Sequence, residues 1–215
     1  MKISKRLKEI ADLVDNGSNI IDVGCDHALL DIYLANNKDN IKVIASDNKK
    51  GPLEQARKNI SSFNLENKIK VKYGDGLDPI EDDIDTVIIA GMGGNTIIDI
   101  LSKKENLKHI KTLIISPQSE VMETRKFLMN SGFKFIDEKI INDQNKYYFI
   151  MKLIKEKVVY SDIELFFGPI LLKNKSNEFY NYYESLLNEY KNNYLKSNSL
   201  ETKEKIKMIE DVLRK

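Results

Sequence analysis

The sequence predicts an α/β fold: a doubly wound, mostly parallel sheet with an antiparallel hairpin at its edge, followed by a C-terminal α-helical hairpin. Three observations predict it. Five apolar strand segments each precede a helical pattern, the alternation that builds a parallel sheet covered by helices on both faces. Two further strand segments then follow one another across a short polar link, which reads as an antiparallel hairpin. After Gly168-Pro169 there is no glycine or proline, and apolar residues recur at three- and four-residue spacings.

The elements can be justified in order. Ile3, Leu7, Ile10, Ala11 and Val14 keep helical spacing, and Asn16-Gly17 stops the helix. Lys5, Arg6 and Lys8 sit on its other side, either as a solvated face or, for Lys5 and Arg6, as phosphate contacts. Ile20, Ile21 and Val23 form a short buried-type strand that ends at Gly24. A helix with Leu29, Leu30, Ile32, Tyr33 and Leu34 follows. Ile41 to Ser46 is the second strand, with Asp47 behind it, and Gly51-Pro52 opens the next helix, where proline's missing N–H does no harm. Lys68 to Tyr73 is the third strand and ends in Gly74-Asp75-Gly76. Ile84 to Ala90 is continuous and apolar, hence central, and ends in Gly91-Met92-Gly93-Gly94. Thr112 to Ile115 is the fifth strand, closed by Ser116-Pro117-Gln118, and its helix stops at Ser131-Gly132. Phe133 to Ile141 and Tyr147 to Ile154 are the hairpin strands, linked by Asn142 to Lys146. In the C-terminal part, Phe179, Tyr182, Tyr183, Leu186, Tyr190 and Tyr194 make one helical stripe. Ser197-Asn198-Ser199 breaks it, and Ile206, Ile209, Val212 and Leu213 resume it. Two helices joined by a polar turn pack as an antiparallel, coiled-coil-like pair. The resulting boundaries are residues 1–157 for the sheet domain and 158–215 for the helical one.

Composition narrows the function. An apolar share of 41% supports a real core, and charged residues at 31% nearly balance at net +1. Grip on nucleic acid through bulk charge is thereby excluded, although a local basic face is not. One Cys rules out an internal disulfide and suits a reducing cytosol. No apolar run has the length of a membrane span, and no h-region follows the N-terminal lysines. One Cys and two His fall short of the usual zinc sets, so no metal is expected.

In an open parallel sheet, ligands bind beyond the carboxyl ends of the strands. Here those ends carry Gly24-Cys25-Asp26-His27, Asp47, Asp75-Gly76, Ala90-Gly91-Met92-Gly93 and Ser116-Pro117-Gln118. Asp47 is placed either to accept from both ribose hydroxyls of an adenosine-type cofactor or to cap a turn. Asp75 either accepts from an adenine amino group or belongs to an ordinary Asp-Gly turn. The first turn separates the cofactor classes. A dinucleotide site needs G-x-G-x-x-G so that backbone can approach a pyrophosphate. Asp26 stands where the second glycine belongs; it repels phosphate and attracts an ammonium or sulfonium group. S-adenosylmethionine offers both cations together with an adenosine. His27 serves either as a base-contacting group or as a helix cap.

Several of these segments resemble the bacterial tRNA (adenine-N1) methyltransferases that modify position 22, the TrmK type. The resemblance rests on Ser4-Lys5-Arg6-Leu7, Asp22-Val23-Gly24-Cys25-Asp26-His27, Gly74-Asp75-Gly76-Leu77, Ile89-Ala90-Gly91-Met92-Gly93-Gly94 and Gly168-Pro169, and it spans nearly the whole chain. It implies a class I methyltransferase (Rossmann-like) domain with a C-terminal helical domain that engages RNA. It implies S-adenosylmethionine bound by Gly24, Asp26, Asp47, Asp75, Gly76 and Ala90, with Asp22, His27, Asn48 and Gly91 completing that set. The target base then enters near His27, Met92 and Gly93, with Asp26 among the catalytic residues. Lys5, Arg6, Lys173 and Lys175, with Lys191 and Lys196, are the candidate RNA contacts. The expected partner is tRNA, with no membrane and no metal, and the expected state is a cytoplasmic monomer. Two features depart from the family pattern: Ser116-Pro117-Gln118 replaces Gln-Pro-Asn, which leaves Gln118 without an assigned role, and Asp47 replaces Glu. A methyltransferase for another substrate, or a non-enzymatic binding module, remains the alternative at this stage.

Overall fold

The computed structural model of the chain describes residues 1–215 apart from Lys104, Glu105, Asn106, Lys108, Asn198 and Lys215, and apart from the side chains of Lys196 and Ser197. The expected break at Asn198 and the Lys196 contact therefore lie outside the described residues. Strands β1 (Asn19–Val23), β2 (Lys42–Asp47), β3 (Ile69–Tyr73), β4 (Thr86–Ala90) and β5 (Thr112–Ser116) run parallel. Strands β6 (Phe133–Asp143) and β7 (Lys146–Lys155) complete a seven-stranded sheet in the order β3-β2-β1-β4-β5-β7-β6. Only β7 runs against its neighbours, inserted between β5 and β6. The order reverses between β1 and β4, and that reversal opens the crevice where a ligand can sit.

The strands are apolar on both sides because both faces are covered. Ile20, Ile88, Ile114 and Ile150 meet helices α1 (Lys5–Asp12), α2 (Leu29–Asn37) and α3 (Lys50–Ser62) on one face. Ile21, Val87, Ile89, Leu113 and Ile115 meet α4 (Gly94–Ser102) and α5 (Val121–Asn130) on the other. The β6–β7 link is tighter than the five residues expected. Only Gln144 and Asn145 lie between the paired Asp143 and Lys146, both at positive φ (52° and 62°), as in a type I′ turn.

The C-terminal segment holds four helices where two were expected: α6 (Asp162–Phe167), α7 (Leu171–Asn174), α8 (Asn177–Ser197) and α9 (Leu200–Leu213). Helix α6 starts with a capping box, Ser161 and Glu164 bonding each other's backbone N–H. This segment builds no core of its own. Phe167, Phe179, Tyr183 and Ile209 are fully buried in the same cluster as the α4–α5 face of the sheet. An ion pair fixes the joint: Arg125 Nε meets Glu138 Oε1 at 2.9 Å with both side chains fully buried. Arg125 Nη1 donates to the carbonyls of Leu165 and Phe166, and Glu138 Oε2 accepts from the Ile170 N–H at 2.9 Å. Gly168, at φ 98°, passes so close to this pair that a Cβ there would meet both side chains. Among the described residues, no helix is long and apolar enough to cross a membrane.

Candidate active site

A cavity of about 650 Å³ opens over the carboxyl ends of β1, β2, β3 and β4. It brings together Asp22, Gly24, Asp26, His27, Asp47, Asn48, Asp75, Gly76, Ala90, Gly91 and Met92 from the expected set. Gly93 caps the start of α4 just beyond it. The turn after β1 is built from left-handed residues: Gly24 (φ 77°), Asp26 (51°) and Ala28 (57°). The Gly24 and Cys25 N–H groups both donate to Ser46 O, which ties this turn to the end of β2. Glycine is favoured at position 24, since its φ is positive and a Cβ would push the Met92 methyl aside. The two glycine turns are thus packed on one another through the Met92 side chain.

Around this turn the carboxylates are spaced along the rim. Asp26 is mostly exposed and lies 3.5 Å from His27 Nε2. Asp47 accepts from the Lys49 N–H at 2.9 Å, so it caps its turn and still lines the cavity. Asp75 accepts from Asn48 Nδ2 at 3.2 Å and has Lys103 Nζ at 3.8 Å. Asp22 and Asp31 lie deeper. Asp22 is 5% exposed and Asp31 is 0% exposed. Both Asp31 carboxyl oxygens are buried, and the neighbouring carboxyl is that of Asp22. Burial pushes both carboxyls up, Asp22 to about 7, and for Asp31 the charge of Asp22 adds to the effect of burial. The shared hydrogen bond and the Arg6 guanidinium hold Asp22 below its partner. Burial and the surrounding carboxylates push the Cys25 thiol up, so it is not a nucleophile.

Arg6 departs from the expected solvated face. Its backbone N–H donates to Asp143 Oδ2 at 3.1 Å, and its guanidinium lies over the Tyr148 ring at 5.2 Å, which turns the side chain into the cavity beside Gly91. Its Nη1 is buried without a hydrogen-bond partner. Lys5 stays outside, donating to Asn142 O at 3.3 Å and facing Glu178 at 3.9 Å. Lys175 donates to Val212 O at the end of α9, Lys191 pairs with Glu210, and Lys173 is exposed. Of the four expected basic contacts, Arg6 lines the cavity, whereas Lys5, Lys173 and Lys175 are not among the residues that line it. Sequence reasoning missed Asp31, whose only signal was a carboxylate on the inner side of a helix's first turn. It also left Gln118 unassigned, although Gln118 lines the cavity and its N–H donates to Met92 O at 2.8 Å.

The donor set fits a zwitterionic, cationic nucleoside. Asp47 and Asp75 offer acceptors to hydroxyl and amino groups, Asp22 and Asp26 offer negative charge, and the orphaned Arg6 Nη1 offers one donor to a carboxylate. No group of three or more metal-binding side chains is present among the described residues.

Comparison with known proteins identifies the family. The family model described as a methyltransferase domain matches residues 3–151. The tRNA (adenine(22)-N(1))-methyltransferase of Bacillus subtilis is 33% identical over 187 residues, covering 83% of this chain and 79% of that protein. A Streptococcus pneumoniae structure in complex with S-adenosyl-L-methionine superposes with a TM-score of 0.93 at 31% identity, covering 99% of this chain and 100% of the other. The M. capricolum TrmK structure, in complex with S-adenosyl-homocysteine, gives a TM-score of 0.89 at 27% identity, covering 100% and 99%. By sequence and by fold, the chain belongs to the tRNA (adenine(22)-N(1))-methyltransferase family.

Proposed function

We propose that the chain transfers a methyl group from S-adenosylmethionine to N1 of the adenine at position 22 of tRNA. The observation that carries this reading is the row of carboxylates, Asp22, Asp26, Asp47 and Asp75, lining one cavity with a single buried guanidinium. When bound, the cofactor supplies an electrophilic methyl on a sulfonium. The chain's own residues do the rest. Asp47 takes the ribose hydroxyls, and Asp75 with Gly76 takes the adenine edge. Asp22 and Arg6 take opposite ends of the amino-acid zwitterion, which moves Arg6 from an RNA contact to a cofactor contact. Membership of the TrmK-type family supports the assignment of tRNA and of position 22.

Adenine N1 has an in-plane lone pair, so no base is needed to deprotonate it and alignment is the main requirement. Met92, Gly93 and His27 flank the entry to the cavity and are placed to orient the base. The ring becomes cationic on methylation, and Asp26 with the Ala90–Gly91 backbone is placed to stabilise that charge. N1 lies on the Watson–Crick edge, so the base must leave its pairing before it can react. We also assign the protein a monomeric, metal-independent, cytoplasmic role, with the helical segment 158–215 contributing RNA surface.

The test is methyl transfer from labelled cofactor to tRNA, with the product digested and mapped. Label in 1-methyladenosine at position 22 is the expected result. Label in protein or in a metabolite, with tRNA silent, would sink the reading.

A further inference from the structure

A second cavity of about 580 Å³ lies between the start of α5, the tip of the β6–β7 hairpin and the facing helices α8 and α9. Gln118 lines both this groove and the cofactor cavity, so the groove continues from the methyl-transfer site. Its walls carry Tyr147, Tyr182 and Tyr190, each half-buried. The Tyr182 ring is fixed edge-on by Tyr147 (5.3 Å, 70°) and Phe149 (5.1 Å, 86°). Lys205 Nζ lies 6.0 Å from the Tyr190 ring, and Lys146 stands exposed at the hairpin tip. Two carboxylates complete the lining, Glu120 and Glu123. Glu120 accepts from the Gly94 N–H and from the Ser119 hydroxyl, both through Oε2, so Oε1 keeps acceptor capacity.

We infer that this groove is a second nucleobase site, holding an unpaired base adjacent in the RNA chain to the target adenine; the inference rests on the tRNA reading above. Three features select this occupant. Rigid aromatic faces that are neither fully buried nor free suit base stacking, which tolerates any base. Two ammonium groups border the groove, Lys205, which pairs with Glu201 at 2.6 Å, and Lys146, which lies 5.3 Å over the Tyr148 ring; swung from these partners, they suit the phosphates on either side of one nucleotide. Carboxylates on the lining disfavour a continuous phosphate track and accept from an exocyclic amino group, so adenine, guanine or cytosine is preferred over uracil. The groove also has a clear use. Extracting the target base breaks its stacking on the neighbour, and an aromatic platform one nucleotide away stabilises the opened strand.

The experiment uses full-length protein and two tRNA transcripts, each carrying 2-aminopurine on one side of the target adenosine. Binding to the wild-type protein is expected to quench one of the two probes several-fold. Tyr190→Ala and Tyr147→Ala are expected to abolish the quenching and raise KM for tRNA about tenfold, the size of one lost base–aromatic stack. Their affinity for S-adenosylmethionine, read by calorimetry, stays unchanged. Tyr190→Phe keeps the quenching, which separates stacking from loss of the hydroxyl. Lys146→Ala, at an exposed turn that cannot disturb the core, raises KM by about two- to threefold, with a shallower salt dependence. Wild-type methylation of tRNA with neither probe quenched would overturn the groove assignment alone. So would wild-type KM in both alanine variants with unaltered melting. Absence of tRNA methylation by the wild type would instead remove the functional reading beneath it.

Discussion

Two clusters of buried charge sit in this molecule, and they are built on opposite plans. At the joint between sheet and C-terminal helices, Arg125 and Glu138 are fully buried, pair at 2.9 Å, and bond three backbone groups of the α6–α7 turn. Beneath the cofactor cavity, Asp22 and Asp31 are two buried carboxyls, and burial raises both. The first cluster pairs opposite charges and is closed to solvent, with Arg125 Nη2 its one atom left without a hydrogen-bond partner among the described residues. The second is short of positive charge and opens on a cavity. A buried ion pair that bonds neighbouring backbone fixes geometry, whereas a buried excess of carboxylate is tolerated where a cation is to arrive. The comparison teaches which cluster is a fastening and which is a receptor.

Three experiments break or sharpen that contrast. The largest effect is expected from Arg125→Ala, which strands Glu138 in the interior. The loss should be about 3–5 kcal/mol of unfolding free energy in a denaturant titration, and a loss under about 1 kcal/mol would mean the joint is held by apolar packing alone. Next comes Asp47→Ala. If Asp47 takes the ribose hydroxyls as proposed, cofactor affinity should fall about ten- to a hundredfold by calorimetry, roughly 1.5–3 kcal/mol, with little change in melting temperature. The reverse pattern would make Asp47 a turn cap and nothing more. The smallest effect is a pH dependence. Both buried carboxyls are raised, so the folded chain retains protons that the unfolded chain releases above about pH 4. Their contribution to stability is complete below that pH and declines as pH rises through about 7 and beyond. Asp31→Asn keeps a donor to Asp22 and removes one of the two raised carboxyls. Its advantage over the wild type should therefore grow between pH 5 and pH 8, by at most about 1.4 kcal/mol per pH unit for one proton. A constant difference across that range would show that the Asp31 carboxyl is not raised in the folded state.

Much of the site could be read from residue order because it lies at strand ends. Strands of five or six residues that stop at Gly24, Asp47, Asp75 or Gly91 place those residues on one rim in any parallel arrangement. The side chains that come from elsewhere were not readable in this way. Arg6 is turned inward by Asp143 and Tyr148, partners far along the chain, and no local spacing encodes that. Asp31 looks like an ordinary acidic residue in a first helical turn, favoured there by the dipole; only the fold brings it against Asp22. In the C-terminal part, the tyrosine stripe was legible as a helix, but its role as a wall against the hairpin strands was not. Helix α6 was signalled by Ser161-Asp162-Ile163-Glu164, an S-x-x-E box whose six-residue helix is too short to show periodicity.

The ties between α1 and the β6–β7 hairpin carry a consequence for biosynthesis. Lys5 to Asn142, Arg6 to Asp143, Glu9 to Lys139 and Asp15 to Lys152 each join the beginning of the chain to residues more than a hundred positions later. Helix α1 is thus seated on two sides, against α2 next to it in sequence and against strands more than a hundred residues away. A nascent chain halted before the hairpin emerges already holds the residues of the glycine turns, yet Arg6 has nothing to turn it inward. A pocket with Arg6 turned inward therefore requires the hairpin strands as well as the glycine turns.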